Sequence, residues 1–407
     1  MNQRPVAALA AALILPATAS LAQTKPPVAQ FWMDVATNNM SIPGMGDMDA
    51  GSGLAGMLGG SFFGATKMGG GGPGKWLDTA LHTRNKPAGT DGTHTIPPAM
   101  SMGSSLPLLP VQPVAHERGT ASEGGEMGKP KGRLVFYWGC GEMVRPGQPR
   151  VVDFSQAGPE EWMRFMTGRF APDRGAKAVQ GRSVWPNERD RQRVPPDASL
   201  AGDHAVAGEG VPAGLRFALR EGYDFMPKMK MVAMGDAKAS VTVGWEPAPT
   251  ARGYFLSAMG SRGQEEMIIW SSSEQPDPGW GLMDYLAPAQ VTKLIGEKVV
   301  LAPSVDHCPI PAGIFGGVEG AMVRMIAYGP ELNLAYPPRP ANPKAPWEPE
   351  WAVRVRIKST GMTMLGMEER RGGREVSRDD TPSAQQEGGT GFGGVSPLNV
   401  IKGIFGR

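Results

Sequence analysis

The sequence has few of the residues, and none of the short motifs, that most directly indicate catalysis or metal binding. Its 407 residues include 2 cysteines and 5 histidines, and they contain no Cys-x-x-Cys pair, His-Glu-x-x-His motif, Gly-x-Ser-x-Gly motif or phosphate-binding loop. Because catalytic sites also assemble from distant segments, these absences favour a non-catalytic protein without excluding an enzyme. They indicate no cofactor.

Long apolar runs and a charge excess of one sign are also lacking. No apolar run reaches the roughly 18 residues of a membrane-spanning helix. The chain carries 41 Lys and Arg against 39 Asp and Glu, which gives a formal net charge of +2. A charge this close to balance provides no strong field for drawing in nucleic acid or an anionic membrane, and we expect no nucleic acid partner.

Glycine and proline, by contrast, are abundant. The 57 glycines and 39 prolines approach the share that is typical of disordered sequences. Apolar residues still make up 41% of the chain, and 10 tryptophans are available for a core. The composition therefore predicts a chain that is partly folded and partly of low complexity. It disfavours a helical bundle, a coiled coil and a disulfide-dense miniprotein.

Residues 1–22 have the three parts of a secretory signal peptide. Arg4 supplies a basic start, and an apolar stretch follows it. Ser20 and Ala22 then place small residues at positions −3 and −1 of a cleavage site. We therefore expect a mature chain that begins at Gln23 in the periplasm or outside the cell. The alternative is an amphipathic N-terminal helix of a cytosolic protein.

Composition divides the mature chain into three regions. Residues 23–130 are rich in Gly, Met and Pro, with 13 glycines among the 34 residues from 41 to 74, and we expect a flexible low-complexity arm. Residues 131–367 carry β-like patterns and form the expected folded region, with an internal boundary near residue 213. Residues 368–407 are again polar and Gly-rich, which predicts a flexible tail.

Alternating apolar residues predict β-strands throughout the expected folded region. The alternation is clearest in residues 134–140 and 241–245. Residues 159–166 and 288–297 instead have the spacing and the initial proline of short helices. About nine strands with two short helices predict a mainly β fold, an antiparallel β-sandwich of Ig or fibronectin type with short helical insertions.

Residues 240–256 resemble the second and third strands of a fibronectin type III domain. In that family an alternating strand ends in Trp-x-Pro, and Gly-Tyr opens the next strand. The residues at the matching positions are Trp245, Pro247, Gly253 and Tyr254. Residues 322–328 resemble a later strand of the same sandwich, whereas residues 286–320 contain a helical insertion that departs from the family.

Two further segments, residues 137–142 and 336–347, resemble those of exported proteobacterial proteins of unknown function. This resemblance extends over most of residues 130–367. It implies a location in the cell envelope and supplies no activity.

The two cysteines have three interpretations. In the oxidising compartment that a signal peptide implies, Cys140 and Cys308 most simply form a disulfide. The first alternative is two buried free thiols. The second alternative makes one cysteine the nucleophile of a thiol or carboxylate enzyme, with Glu142 or His307 beside it.

Four closely spaced methionines suggest a copper site. The sulfurs belong to Met226, Met229, Met231 and Met234, and soft thioethers select Cu(I), which exported proteins encounter. This interpretation makes the chain a methionine-rich periplasmic copper-binding protein. Because methionine also fills cores and the chain has 25 of them, core packing is the alternative.

One predicted strand and the segment before it carry the candidate binding residues. Arg354, Arg356 and Lys358 share one strand face, and three cations in a row could bind an anionic glycan or a lipid head group. Alternatively, the three cations only form a solvent-exposed face, or they protect a sheet edge from aggregation. Trp347 lies in a segment with proline at every third position, which predicts either a polyproline II ligand or a rigid crossover.

These patterns favour an exported cell-envelope protein with a non-catalytic binding or structural role. The alternatives are the copper-binding protein and the thiol or carboxylate enzyme. The sequence identifies no particular partner, although an envelope protein or a glycan would suit the basic strand face.

Overall fold

The computed structural model describes residues 25–42, 46–47, 61–67, 71–112, 132–158, 160–161, 165, 167–235, 239–318, 320–342 and 345–366. The expected signal peptide at residues 1–22 and the expected tail at residues 368–407 lie outside the described residues. The same holds for most of the helix predicted at residues 159–166.

Strands dominate the described residues, which confirms the prediction of a mainly β chain. The strands are β1 (Ala29–Ile42), β2 (Gly46–Asp47), β3 (Gly74–Thr83), β4 (Gly92–Thr95), β5 (Ser105–Pro110), β6 (Arg133–Trp138), β7 (Arg150–Asp153), β8 (Ser183–Trp185), β9 (Gly202–Gly208), β10 (Arg216–Leu219), β11 (Met231–Met234), β12 (Val241–Trp245), β13 (Gly253–Arg262), β14 (Glu266–Ser271), β15 (His307–Ile310), β16 (Ala321–Tyr336) and β17 (Trp351–Leu365). The helices whose bounds the structure describes are α1 (Pro288–Gly296) and two 3-10 helices at Pro98–Met100 and Glu221–Tyr223, and residues 160, 161 and 165 are also helical.

Most of these strands belong to one large sheet. Its order is β10-β9-β4-β5-β8-β3-β1-β17-β16-β13-β14-β6-β7, with β2 paired beside β1. Two neighbouring pairs, β1 with β17 and β14 with β6, run parallel, and the other described pairs run antiparallel. The prediction of an antiparallel arrangement is therefore wrong for these two pairs, because segments far apart in the sequence meet side by side and local patterns carry no strand direction.

Strand β1 lies inside the large sheet, between β3 and β17, and its residues 31–39 are buried without a break. The expectation of a flexible arm over residues 23–130 is therefore wrong for β1, β3, β4 and β5, which all lie in that range. Composition misled this prediction because most of the glycines of residues 23–130 stand in residues 43–73, between β1 and β3, and few stand within those strands.

A second sheet, with the order β11-β12-β15, packs on one face of the large sheet. Trp245 at the end of β12 contacts Tyr254 of β13, and their ring centroids are 5.4 Å apart. Gly361 of β17 lies so close to Met229 and Met231 that a side chain at this position would overlap them. The space between the two sheets thus forms part of the main hydrophobic core.

Helix α1 covers the opposite face of the same strands and confirms the helix predicted at residues 288–297. Pro288 occupies the first turn, where its missing N–H has no helical partner to lose. Val291 and Leu294 are buried in a cluster with Phe255 of β13 and Ile326 of β16. No helix among the described residues is long and apolar enough to cross a membrane.

We predict that Trp245→Ala lowers the free energy of unfolding by about 3–5 kcal/mol, the usual cost of emptying a large buried aromatic site. Trp245 is 6% exposed and shares the main core with Met325 of β16. Urea denaturation measures the change, and Ala at the neighbouring exposed position, Glu246→Ala, is the control. An unchanged midpoint for Trp245→Ala would contradict the core placement.

Candidate functional site

A groove of about 650 Å³ opens where β16 ends and β17 begins. The lining residues that the structure describes are Gln30, Arg174, Asn333, Leu334, Ala335, Pro338, Arg339, Trp347, Ala352, Val353 and Arg354. Two of the predicted binding residues, Trp347 and Arg354, are among them. The groove therefore brings one indole ring and three guanidinium groups together.

Hydrogen bonds fix Arg354 and Arg174 in this lining. Arg354 donates from Nε to Oδ1 of Asn333 at 2.8 Å and from Nη1 to the backbone oxygen of Arg174 at 3.0 Å. Arg174 in turn donates from Nη2 to both carboxylate oxygens of Glu331, at 2.8 and 3.0 Å. Because Nη2 of Arg354 has no acceptor among the described residues, this nitrogen is available to a ligand.

Trp347 and Arg339 belong to the proline-rich segment, which forms the hairpin loop between the antiparallel neighbours β16 and β17. The indole Nε1 of Trp347 donates to the backbone oxygen of Pro337 at 3.0 Å, which fixes the ring. The guanidinium of Arg339 lies 5.6 Å from the ring centroid and forms no ion pair within the part of the chain that the structure describes. The loop thus presents a fixed aromatic ring with the guanidinium of Arg339 over it.

The other two cations of the predicted basic face are buried. Arg356 donates two hydrogen bonds of 2.7 Å to Asp34 of β1, from Nε to Oδ1 and from Nη2 to Oδ2. Lys358 is fully buried and donates to Asp284 at 2.8 Å. The three cations share one face of β17 as predicted, but the interpretation of Arg356 and Lys358 as ligand-binding residues is wrong, because each is sequestered by a carboxylate of the protein itself.

Arg356 and Lys358 belong to a buried ionic cluster around Tyr285. The Arg356 guanidinium and Nζ of Lys358 each lie 4.4 Å from the Tyr285 ring centroid, and Nζ of Lys67 lies 5.3 Å from it. Lys67 also pairs with Asp34 at 2.5 Å. Burial raises the pKa of Tyr285 well above its usual range and lowers the pKa of Lys358. Tyr285 is therefore a neutral phenol, and the π-face of its ring stabilises the cations around it.

The loop that contains Arg174 connects this cluster with the groove. Asp173 accepts a hydrogen bond from Nη2 of Arg356 at 3.1 Å. Gly175 lies so close that a Cβ there would overlap the guanidinium of Arg356, so only glycine fits at this position. The buried cluster thereby sets the course of the loop, and with it the position of Arg174.

Cys140 and Cys308 form the predicted disulfide, with Cα atoms 5.2 Å apart. Glu142 and His307 are exposed near the bond, and Nδ1 of His307 lies 2.7 Å from Oδ1 of Asp306. Because both sulfurs are bonded to each other, neither is available as a nucleophile. The predicted thiol site is therefore not formed.

Three of the four predicted copper ligands are core residues. Met226, Met229 and Met231 are 2%, 1% and 4% exposed, whereas Met234 is 59% exposed. The buried sulfurs pack in the main hydrophobic cluster, which includes the contacts beneath the three-stranded sheet. The four thioethers thus do not share an accessible site, and core packing accounts for the three buried ones.

The sequence-based predictions did not include four polar residues of the groove, Gln30, Arg174, Asn333 and Arg339. Arg339 had a usable signal, because it stands between prolines in the same segment as Trp347. Arg174 had none, since its loop lacks any periodicity and precedes its partner Glu331 by 157 residues.

Comparison with models of known protein families finds no match for this chain, and comparison with curated proteins finds none either. The resemblances to fibronectin type III domains and to exported proteobacterial proteins therefore stay predictions. Function has to be inferred from the groove and from the cluster beside it.

Asp78 makes the stability of the folded state depend on pH. It is fully buried opposite Asp34 on the neighbouring strand, and burial raises the pKa of the Asp78 carboxyl to about 6. The same group in the unfolded chain has a pKa of about 3.9. Between these values the folded state binds more protons than the unfolded state, so this contribution to stability grows as the pH falls from 7 to 4.

We predict that Asp78→Asn removes this contribution. Between pH 7 and pH 4, wild type should gain about 2 kcal/mol of unfolding free energy relative to Asp78→Asn, the amount that a pKa difference of about 2 implies. Urea denaturation of both proteins at several pH values measures the difference between their free energies of unfolding. The other titrating groups are the same in both proteins, so their contributions cancel in this difference. Asp91→Asn, whose side chain is 70% exposed, is the control. If the free energy of unfolding changed with pH equally in wild type and Asp78→Asn, the raised pKa of Asp78 would be refuted.

Proposed function

We propose that this chain is an exported, non-catalytic binding protein of the cell envelope and that it holds its ligand in the groove beside Trp347. One observation carries the proposal: a concave site of about 650 Å³ combines a fixed aromatic ring with guanidinium donors. Ligand sites in proteins typically have this size and this combination of apolar surface with a few placed polar groups.

The chemistry of the lining supports binding without catalysis. Its described polar members are the three arginines together with Gln30, Asn333 and the indole N–H of Trp347. None of these groups exchanges a proton or attacks a substrate at neutral pH. The described lining includes no His, Asp, Glu, Lys, Cys, Ser, Thr or Tyr, the residues that supply acids, bases and nucleophiles.

The disulfide supports export. Disulfides persist in oxidising compartments and are rare in the cytosol. The bond joins Cys140 and Cys308 across 168 residues, and closing a loop of that length stabilises a fold by up to about 5 kcal/mol in the chain-entropy model. A protein with a signal peptide at residues 1–22 would reach a compartment in which this bond can form.

The strand order from β11 to β17 supports a fibronectin-like sandwich as the scaffold of the binding protein. Numbered along the chain, these strands form the order 1-2-5 in the small sheet and 4-3-6-7 within the large sheet. In Ig-type sandwiches the third, sixth and seventh strands also lie side by side, and the first, second and fifth lie in the facing sheet. Trp245 and Tyr254, two residues of the fibronectin resemblance, meet between the sheets.

We predict that the mature protein begins at Gln23, has no free thiol and is found in the periplasmic or secreted fraction. Cell fractionation, with intact-mass measurement and thiol titration of the purified protein, tests the three expectations together. Ala22→Asp should block processing, because the −1 position requires a small residue. Lys25→Gln, beyond the cleavage position, is the control. A cytosolic protein that retains Met1 and two free thiols would contradict the proposal.

A further inference from the structure

We infer that the groove binds an acidic saccharide, a sugar chain that carries carboxylate, sulfate or phosphate groups. This inference rests on the proposed function and specifies the class of ligand. Its basis is the placement of one fixed indole beside guanidinium groups whose positive charge the protein compensates only in part.

The balance of charge around the groove favours an anion. Glu331 binds Arg174 through both oxygens and lies 3.6 Å from Arg354, but its side chain is 5% exposed and therefore does not face a ligand. In the loop between β16 and β17, Glu348 pairs with Lys25 at 2.7 Å. One buried carboxylate thus serves two of the three arginines, and the third has no described counter-ion.

Arg354 and Arg339 can both donate to an oxyanion. The Nε and Nη1 groups of Arg354 are already held by the protein, so its guanidinium presents Nη2 in a fixed direction and loses little further freedom when a ligand binds. Charge-assisted hydrogen bonds from guanidinium to carboxylate or phosphate are roughly twice as strong as neutral ones. These donors give the groove its selectivity for acidic groups.

The indole of Trp347 supplies the apolar part of the site. Its bond to Pro337 holds the ring in place, and a rigid aromatic ring offers a large contact area at little entropic cost. One face of a sugar ring carries mainly C–H groups, which stack on such a surface. With Arg339 at 5.6 Å from the ring centroid, an acidic substituent of the stacked sugar would meet a guanidinium.

The shape of the groove favours a saccharide over a membrane surface. Peripheral membrane binding requires exposed apolar side chains next to basic ones. Here Trp347 is half-buried and hydrogen-bonded, and the exposed aromatic residue at the end of β16, Tyr336, is stacked on Trp351 with ring centroids 5.9 Å apart. Of these aromatic rings, the indole of Trp347 lines a recess of about 650 Å³, which suits a short segment of a polymer.

Binding of the purified mature protein to acidic and matched neutral polymers tests the inference. The probes are polygalacturonate with its carboxyl-reduced form, and dextran sulfate with dextran, measured by isothermal titration calorimetry. At least one acidic polymer should bind at least tenfold more tightly than its neutral counterpart. The affinity should fall as salt rises, because the donors are open to solvent. Equal affinity for charged and neutral forms, or binding to none of the four polymers, would overturn the inference.

Variants assign the binding to the groove. Arg339→Gln and Trp347→Ala should each weaken binding to the acidic polymer at least tenfold, whereas Arg216→Gln, an exposed position on the edge strand β10, should leave it unchanged. Arg339 has no described ion pair, so Arg339→Gln should also keep the wild-type melting temperature and remains informative even where Trp347→Ala is destabilised. Wild-type affinity in Arg339→Gln would place the binding elsewhere and overturn the inference.

Vesicles of phosphatidylglycerol and phosphatidylcholine provide the remaining comparison. Binding to the anionic vesicles without binding to either acidic polymer would assign the groove to a membrane surface and overturn the saccharide inference. If the proposed export is wrong, the chain stays in the cytosol as a precursor that retains residues 1–22. That result is independent of the affinity for polymers, so the two failures are distinguishable.

Discussion

A buried ion pair between two parallel strands connects the two ends of the described chain. Asp34 of β1 and Arg356 of β17 are register partners 322 residues apart, and they are 0% and 5% exposed. Taking two charges out of water costs several kcal/mol each, so the pair is stable only with both partners and their hydrogen bonds in place. The pairing of β1 with β17 therefore has to be nearly fully formed, and the strands on both sides of it then extend one continuous sheet.

The groove depends on the same contact. Gln30 of β1 and Arg354 of β17 line it, and each lies only a few residues from the ion pair. The loop that carries Arg174 is held by Asp173 and Gly175 against Arg356. The buried cluster thus acts as the support for the exposed cations, which explains why neighbouring positions on one strand face have such different roles.

Local sequence patterns predicted the elements that short-range periodicity and helix-start signals determine. Alternation identified β12 and its inward Trp245, and the initial proline identified α1. Strand β1 escaped prediction because residues 31–39 are buried on both faces and do not alternate, and because the glycine-rich segment beside it dominated the composition. The same limit affected the basic face: the sequence places Arg354, Arg356 and Lys358 together, but the carboxylates that sequester two of them come from β1 and from a distant loop.

Native-state hydrogen exchange tests most directly whether β1 is an integral strand of one cooperative sheet. If β1 is integral, the amides of residues 31–39 exchange only through the same global opening as those of residues 353–359 in β17, with equal free energies of opening. Opening free energies for residues 31–39 that lie several kcal/mol below those of β17 would contradict this, because the N-terminal segment would then detach while the rest of the sheet stays folded.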